Sequence, residues 1–93
     1  MVKQALKVTV LSVTDVVFEG EVVAISSINS RGPFDVLPLH SQFISLIEKE
    51  VTLHHESGEK TVYELVRGVI HVLRNEVKVF LGIEGLGSAD KQV

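Results

Sequence analysis

The stretch VRGVIHVLRNEVKVFL, Val66 to Leu81, decides the fold. Ile70 and Val72 flank His71, and Val77, Val79 and Leu81 repeat that spacing of two. Period two over short runs marks pleated strands. Between the runs, RNE (74–76) places Asn75 where a tight turn needs a residue tolerant of positive φ. The same alternation extends outward in both directions. It appears in KVTVLSV (7–13), EVVAISSI (21–28), VTLHH (51–55) and KTVYELV (60–66), and FDVL (34–37) adds a short run. ESGE (56–59) supplies Gly58 for a hairpin. Gly20 and Gly68 interrupt strand patterns, where bulges or close backbone approaches are expected. The spacing predicts an all-β chain, a small antiparallel β-sandwich of about nine or ten short strands.

One segment reads two ways. SQFISLIEKE (41–50) has Phe43, Leu46 and Ile47 on one helical face, yet it also fits a strand, which is the preferred reading. The sandwich is expected to cover residues 1–83. EGLGSADKQV (84–93), broken by Gly85 and Gly87, is expected to fray.

Composition narrows the function. The 93 residues suit one domain. The absence of cysteine excludes a disulfide framework and a thiolate nucleophile. A net charge of −3 with no basic cluster argues against nucleic acid as a partner. No signal peptide is read at the N-terminus, and no apolar run approaches the roughly 18 residues of a membrane span. Direct membrane insertion is not expected.

The chemistry-bearing residues are scattered. His54 and His55 are neighbours, and neighbours in a strand face opposite ways, so one ion needs His71 or Glu56 to converge with them. Partly exposed sheet histidines are the plainer reading. GLGSAD (85–90) lacks the third glycine and the helix of a dinucleotide site. No Gly-x-Ser-x-Gly elbow is present, and His40–Ser41 are only sequence neighbours. Asp15 is expected to cap the turn VTDV through its side chain. No general acid, base and nucleophile assemble, and no cofactor or metal is expected.

SRGPFDVLPLHS (30–41) reads differently. Gly32–Pro33 breaks the preceding strand, and Pro38, which lacks a backbone donor, belongs at a strand end. The apolar residues Phe34, Leu37, Leu39 and Phe43 serve either the core or a partner, and Leu39 with His40 best suits a partner.

These residues carry a resemblance. VVFEGEVVAI (16–25) followed by RGPFDVLPLH (31–40) resembles the N-terminal β-sandwich domain of the epsilon subunit of F-type ATP synthases. Phe18, Gly20, Val22, Gly32, Phe34, Val36, Leu37, Pro38 and His40 stand in the family's places. So do Gly68, Asn75 and Val77 in the closing strands. The resemblance implies a non-catalytic rotor subunit in the central stalk. That subunit couples rotation of the membrane c ring to the gamma subunit and the catalytic head. It implies a peripheral location, on the cytoplasmic face of the energy-coupling membrane in a bacterium. It also implies contact with gamma and the ring through Arg31, Gly32, Pro33, Pro38, Leu39, His40 and Ser41. The family's further C-terminal helical hairpin has no counterpart in these residues, so neither inhibition nor nucleotide binding carries over.

Several residues depart from the pattern. Asp35 and Leu39 stand where the family has glycine, so the backbone there either changes conformation or is strained. Ser41–Gln42 replaces Ala-Pro, EKE (48–50) replaces Lys-Pro-Gly, and Arg31 and Pro33 replace acidic positions. Arg67 and Val69 replace the serine and second glycine around Gly68. Two other readings compete with the rotor subunit. One is a stand-alone β-sandwich adaptor, and the other is a small metal-dependent enzyme using His54, His55 and His71.

Val22 is read as core. The substitution Val22→Asp is expected to unfold the sandwich, because an unpaired buried carboxylate costs several kcal/mol. Far-UV circular dichroism and a thermal melt check this, and a native-like melt removes Val22 from the core.

Overall fold

In the computed structural model, residues 5–39 and 42–82 are described. They form seven strands: β1 (Leu6–Leu11), β2 (Val16–Val22), β3 (Ala24–Asn29), β4 (Gly32–Val36), β5 (Phe43–His54), β6 (Lys60–Leu73) and β7 (Glu76–Leu81). Their hydrogen-bonded order is β2-β1-β7-β6-β5-β3-β4. Every neighbouring pair is antiparallel except β1 and β7, which run parallel.

The all-β reading holds, and the strands are fewer because runs fuse. Segment 41–50 is strand and continues through VTLH as the 12-residue β5. Ile47 is buried while Ile44, Leu46 and Glu48 are exposed, an alternation that no helix gives. KTVYELV and VIHVL likewise join into the 14-residue β6. One expected strand splits instead. EVVAISSI breaks at Val23, whose N–H donates to the His54 carbonyl at 2.8 Å.

The two long strands make the sandwich. The N-terminal half of β5 pairs with the C-terminal half of β6, which continues through β7 and β1 to β2. The C-terminal half of β5 pairs with β3, and β3 with β4. The ladder slips between these halves: Glu48 opposes Arg67, but Lys49 opposes Leu65. Val66 is therefore the extra residue of a β-bulge, which bends the ribbon. Lys49 takes φ 75° at the bend.

The bulge also corrects the phase. Before it, Thr61, Tyr63 and Leu65 are the less exposed members of β6; after it, Gly68, Ile70 and Val72 are buried. A one-residue shift moves every side chain to the other face. Both halves of β6 therefore face one core despite the bend. That core joins Leu6, Val8 and Val10 to Val77 and Val79 on one layer, and Ile25 and Val36 to Val51 and Leu53 on the other. Val22 is among its buried members.

Gly68 and Gly20 mark close approaches rather than the bulges themselves, which fall at Val66 and Val17. A Cβ on Gly68 would overlap the Phe80 carbonyl oxygen and the Leu65 methyl. A Cβ on Gly20 would meet the Phe18 ring at 3.2 Å. Gly68→Ala is expected to destabilise the fold by about 2 kcal/mol or more, since a backbone carbonyl yields less than a side chain. Urea unfolding measures this, and an unchanged midpoint would contradict the tight packing of β6 on β7.

Candidate functional site

The expected contact residues fall at two places. Arg31 and Gly32 form the tip of the β3–β4 hairpin, where Gly32 takes φ 117° and the Arg31 N–H donates to Asn29 Oδ1 at 2.9 Å. Pro33 opens β4 beside them. This tip borders an open groove lined by Asn29, Ser30, Ser45, Leu46, Glu48 and Arg67. Pro38 and Leu39 follow the other end of β4, roughly 17–20 Å away at about 3.3 Å per strand residue. His40 and Ser41 lie outside the described residues.

Leu39 adopts φ 71°. For a leucine the left-handed region costs roughly 1–2 kcal/mol. A side chain elsewhere holds it there: the Leu39 N–H donates to Asn75 Oδ1 at 2.7 Å. Asn75 is itself tied in, since its carbonyl accepts the Lys7 N–H at 2.8 Å. The positive φ expected at Asn75 belongs instead to Arg74, at 60°. Asn75 thus serves through its amide, as the anchor of a distant loop. Nothing in the local pattern RNE signals that partner.

Among the described residues, the outer face of the layer made by β5, β6, β7, β1 and β2 carries a contiguous apolar row. Register aligns Leu46 with Val69, Val69 with Phe80, Phe80 with Leu11 and Leu11 with Val16. Their inward neighbours Val10, Ile70 and Val79 are buried, so this row faces outward. It crosses β5, β6, β7, β1 and β2 without a polar residue. Leu46 is 67% exposed, Val16 54% and Phe80 37%. Ile44, also exposed, adjoins Leu46 on β5. The next row is polar apart from Ile44: Glu19, Thr9, Lys78 and His71. Scattered exposed apolar residues are ordinary, whereas a contiguous row marks an interaction surface.

On the other layer a serine, a histidine and an aspartate do meet. Ser26 Oγ donates to Asp35 Oδ1 at 2.6 Å and lies 2.8 Å from His54 Nε2. The hydroxyl has one hydrogen, and Asp35 takes it. His54 must therefore donate from Nε2. A nucleophilic serine needs the reverse, with its proton passing to the imidazole and the carboxylate on the far ring nitrogen. The trio ties β4, β3 and β5 together, with the carboxylate on the serine and not on the imidazole, so it lacks the order of a catalytic triad. His55 turns the other way, to Thr61 Oγ1 at 2.7 Å and edge-on to Phe18. Among the described residues, no three His, Asp or Glu side chains group as metal ligands. The 12–15 turn is organised by Ser12 rather than Asp15: its hydroxyl accepts the Thr14 and Asp15 N–H groups, and the Asp15 carboxylate accepts only the Thr14 hydroxyl.

Comparison with known proteins agrees with this architecture. Residues 5–82 match the model of the ATP synthase delta/epsilon chain β-sandwich domain. The chain belongs to this family. Among curated proteins none matches by sequence. A chain of the Euglena gracilis mitochondrial ATP synthase, in a structure of OSCP, F1 and c ring, superposes with a TM-score of 0.79 at 18% identity. The match covers 99% of this chain and 65% of that one. A chain from the Tetrahymena thermophila mitochondrial ATP synthase central stalk and c ring gives 0.68 at 10% identity, covering 85% and 64%. At these identities the likeness is one of fold, and this chain spans just under two thirds of each neighbour.

The departures from the delta/epsilon pattern now have physical outcomes. Asp35 lies in the regular strand β4 and uses its carboxylate on Ser26, so replacing glycine there requires no unusual backbone. Leu39, by contrast, keeps the conformation that suits glycine. Among the described residues no helix is long and apolar enough to cross a membrane.

Asn75→Ala removes the acceptor of the Leu39 N–H. It is expected to cost about 1 kcal/mol and to speed hydrogen exchange at the Leu39 amide, while Asn75→Asp keeps the protection. Exchange followed by NMR distinguishes the two, and equal protection in wild type and Asn75→Ala would show the bond to be idle.

Proposed function

We propose that this delta/epsilon-family chain is a non-catalytic rotor-stalk subunit, coupling the c ring to the gamma subunit and the catalytic head of an ATP synthase. The observation that carries the reading is the outward apolar row Leu46–Val69–Phe80–Leu11–Val16. A rotor joint must transmit torque without slipping. That favours a broad packed contact over a few charges, and obligate interfaces commonly bury more than about 2,000 Å². The row gives gamma a dry surface spanning one whole layer. The hairpin tip Arg31–Gly32–Pro33 and the segment Pro38–Leu39, with His40 and Ser41, supply further contacts to gamma and the ring. The family membership supports this assignment. The subunit would sit peripherally, on the side of the energy-coupling membrane that carries the catalytic head.

The test is a double substitution on the row. Leu46→Asp with Val16→Asp alters two side chains that are more than half exposed, so the melting temperature is expected to stay near wild type. Affinity for the purified gamma subunit of the same organism is expected to fall at least a hundredfold by titration calorimetry. Undiminished binding would remove this face from the joint. Failure of the wild-type chain to bind gamma, or to co-purify with the synthase from its native host, would end the rotor reading.

A further inference from the structure

Leu39 is costly to its own chain in two respects. Its backbone occupies the left-handed region at φ 71°. Its side chain is 72% exposed, the highest value among the large apolar residues described. Neither feature serves the core: Leu39 is absent from the buried cluster and from the residues packed against it. Glycine would take the same backbone without strain and expose no apolar surface. Yet the conformation is held by the hydrogen bond from the Leu39 N–H to Asn75 Oδ1. A strained residue that is actively held, and that presents an exposed apolar group, points to a use outside the chain.

The surroundings describe the complement. Leu37 is exposed just before the loop, and Leu73, also exposed, precedes the turn that carries Asn75. Arg74 stands exposed in that turn. A surface complementary to these residues would pair an apolar pocket with an acidic group at its rim. Such central, rigidly presented apolar residues dominate binding in many interfaces.

Resting on the rotor-stalk reading above, we propose that Leu39 is the specificity anchor of this subunit. Its side chain seats in an apolar, acid-rimmed pocket of the gamma subunit, and the loop is strained to present it. The strain fixes the direction of the side chain before contact, so little is lost in ordering it on binding. The anchor also discriminates. A gamma surface that is flat at this point, shaped for a glycine, would clash with Leu39, and this pairing of fit and clash is how related partners are kept apart.

The experiment compares wild type, Leu39→Gly and Leu39→Ala in the full chain, each by thermal melt and by titration against purified gamma subunit. Leu39→Gly is expected to melt about 4 °C or more above wild type, through relief of the backbone. It is also expected to bind gamma at least tenfold more weakly. Leu39→Ala keeps the strain and loses the anchor, so it should bind as weakly without the gain in melting temperature. Charge reversal at Arg74 (Arg74→Glu) should lower the association rate and its salt dependence. If Leu39→Gly binds gamma as tightly as wild type, the anchor is refuted while the rotor reading stands. If Leu39→Gly fails to melt higher, the strained presentation is refuted. If wild type does not bind gamma at all, the rotor reading itself falls and the anchor with it.

Discussion

The structure depends on one extra residue. Val66 interrupts the pairing of β5 with β6 and lets a single ribbon belong to both layers of the sandwich. Without it, the inward set of β6 could not pass from Tyr63 and Leu65 to Ile70 and Val72 while still facing one core. The tight approach of Gly68 to β7 follows directly, because the strand re-enters the ladder only two residues beyond the bulge. Bend, phase and close packing are three effects of the same local insertion. Each layer is then held by contacts to the shared strands as well as by its own hairpins.

This construction divides the surface by character. The layer built on β5, β6, β7, β1 and β2 shows an apolar row to the outside. The layer of β4, β3 and β5 shows the linked side chains of Asp35, Ser26 and His54. The first is suited to association. The second is a hydrogen-bonded trio that links three neighbouring strands through their side chains.

Much of the fold was legible in the residues, for reasons of period. The alternation of Ile70, Val72, Val77 and Val79 assigns both the strand type and the buried face, and Gly58 marks its hairpin at φ 96°. Fusion of neighbouring runs was not legible, because a bulge keeps hydrogen bonding continuous while the hydrophobic phase shifts by one residue. The site was less legible than the fold. The row from Leu46 to Val16 draws one residue from each of five strands, so it exists only once register is known. Asn75 looks like an ordinary turn residue and acts on Leu39, thirty-six positions away. At Leu39 itself the expectation of strain was readable from a glycine-type position occupied by a branched side chain. The direction that side chain takes was not.

The parallel pairing of β1 with β7 has a consequence for biosynthesis. Lys7 meets Glu76 and Leu11 meets Phe80, so the first described strand closes against the last. During translation β1 can join β2 early, but its other edge stays open until nearly the whole domain has emerged. Contacts of such long sequence separation slow the search for the native state, and an open apolar edge invites pairing with a neighbouring nascent chain. Ribosome-bound fragments ending before Glu76 should therefore be the form most in need of a chaperone.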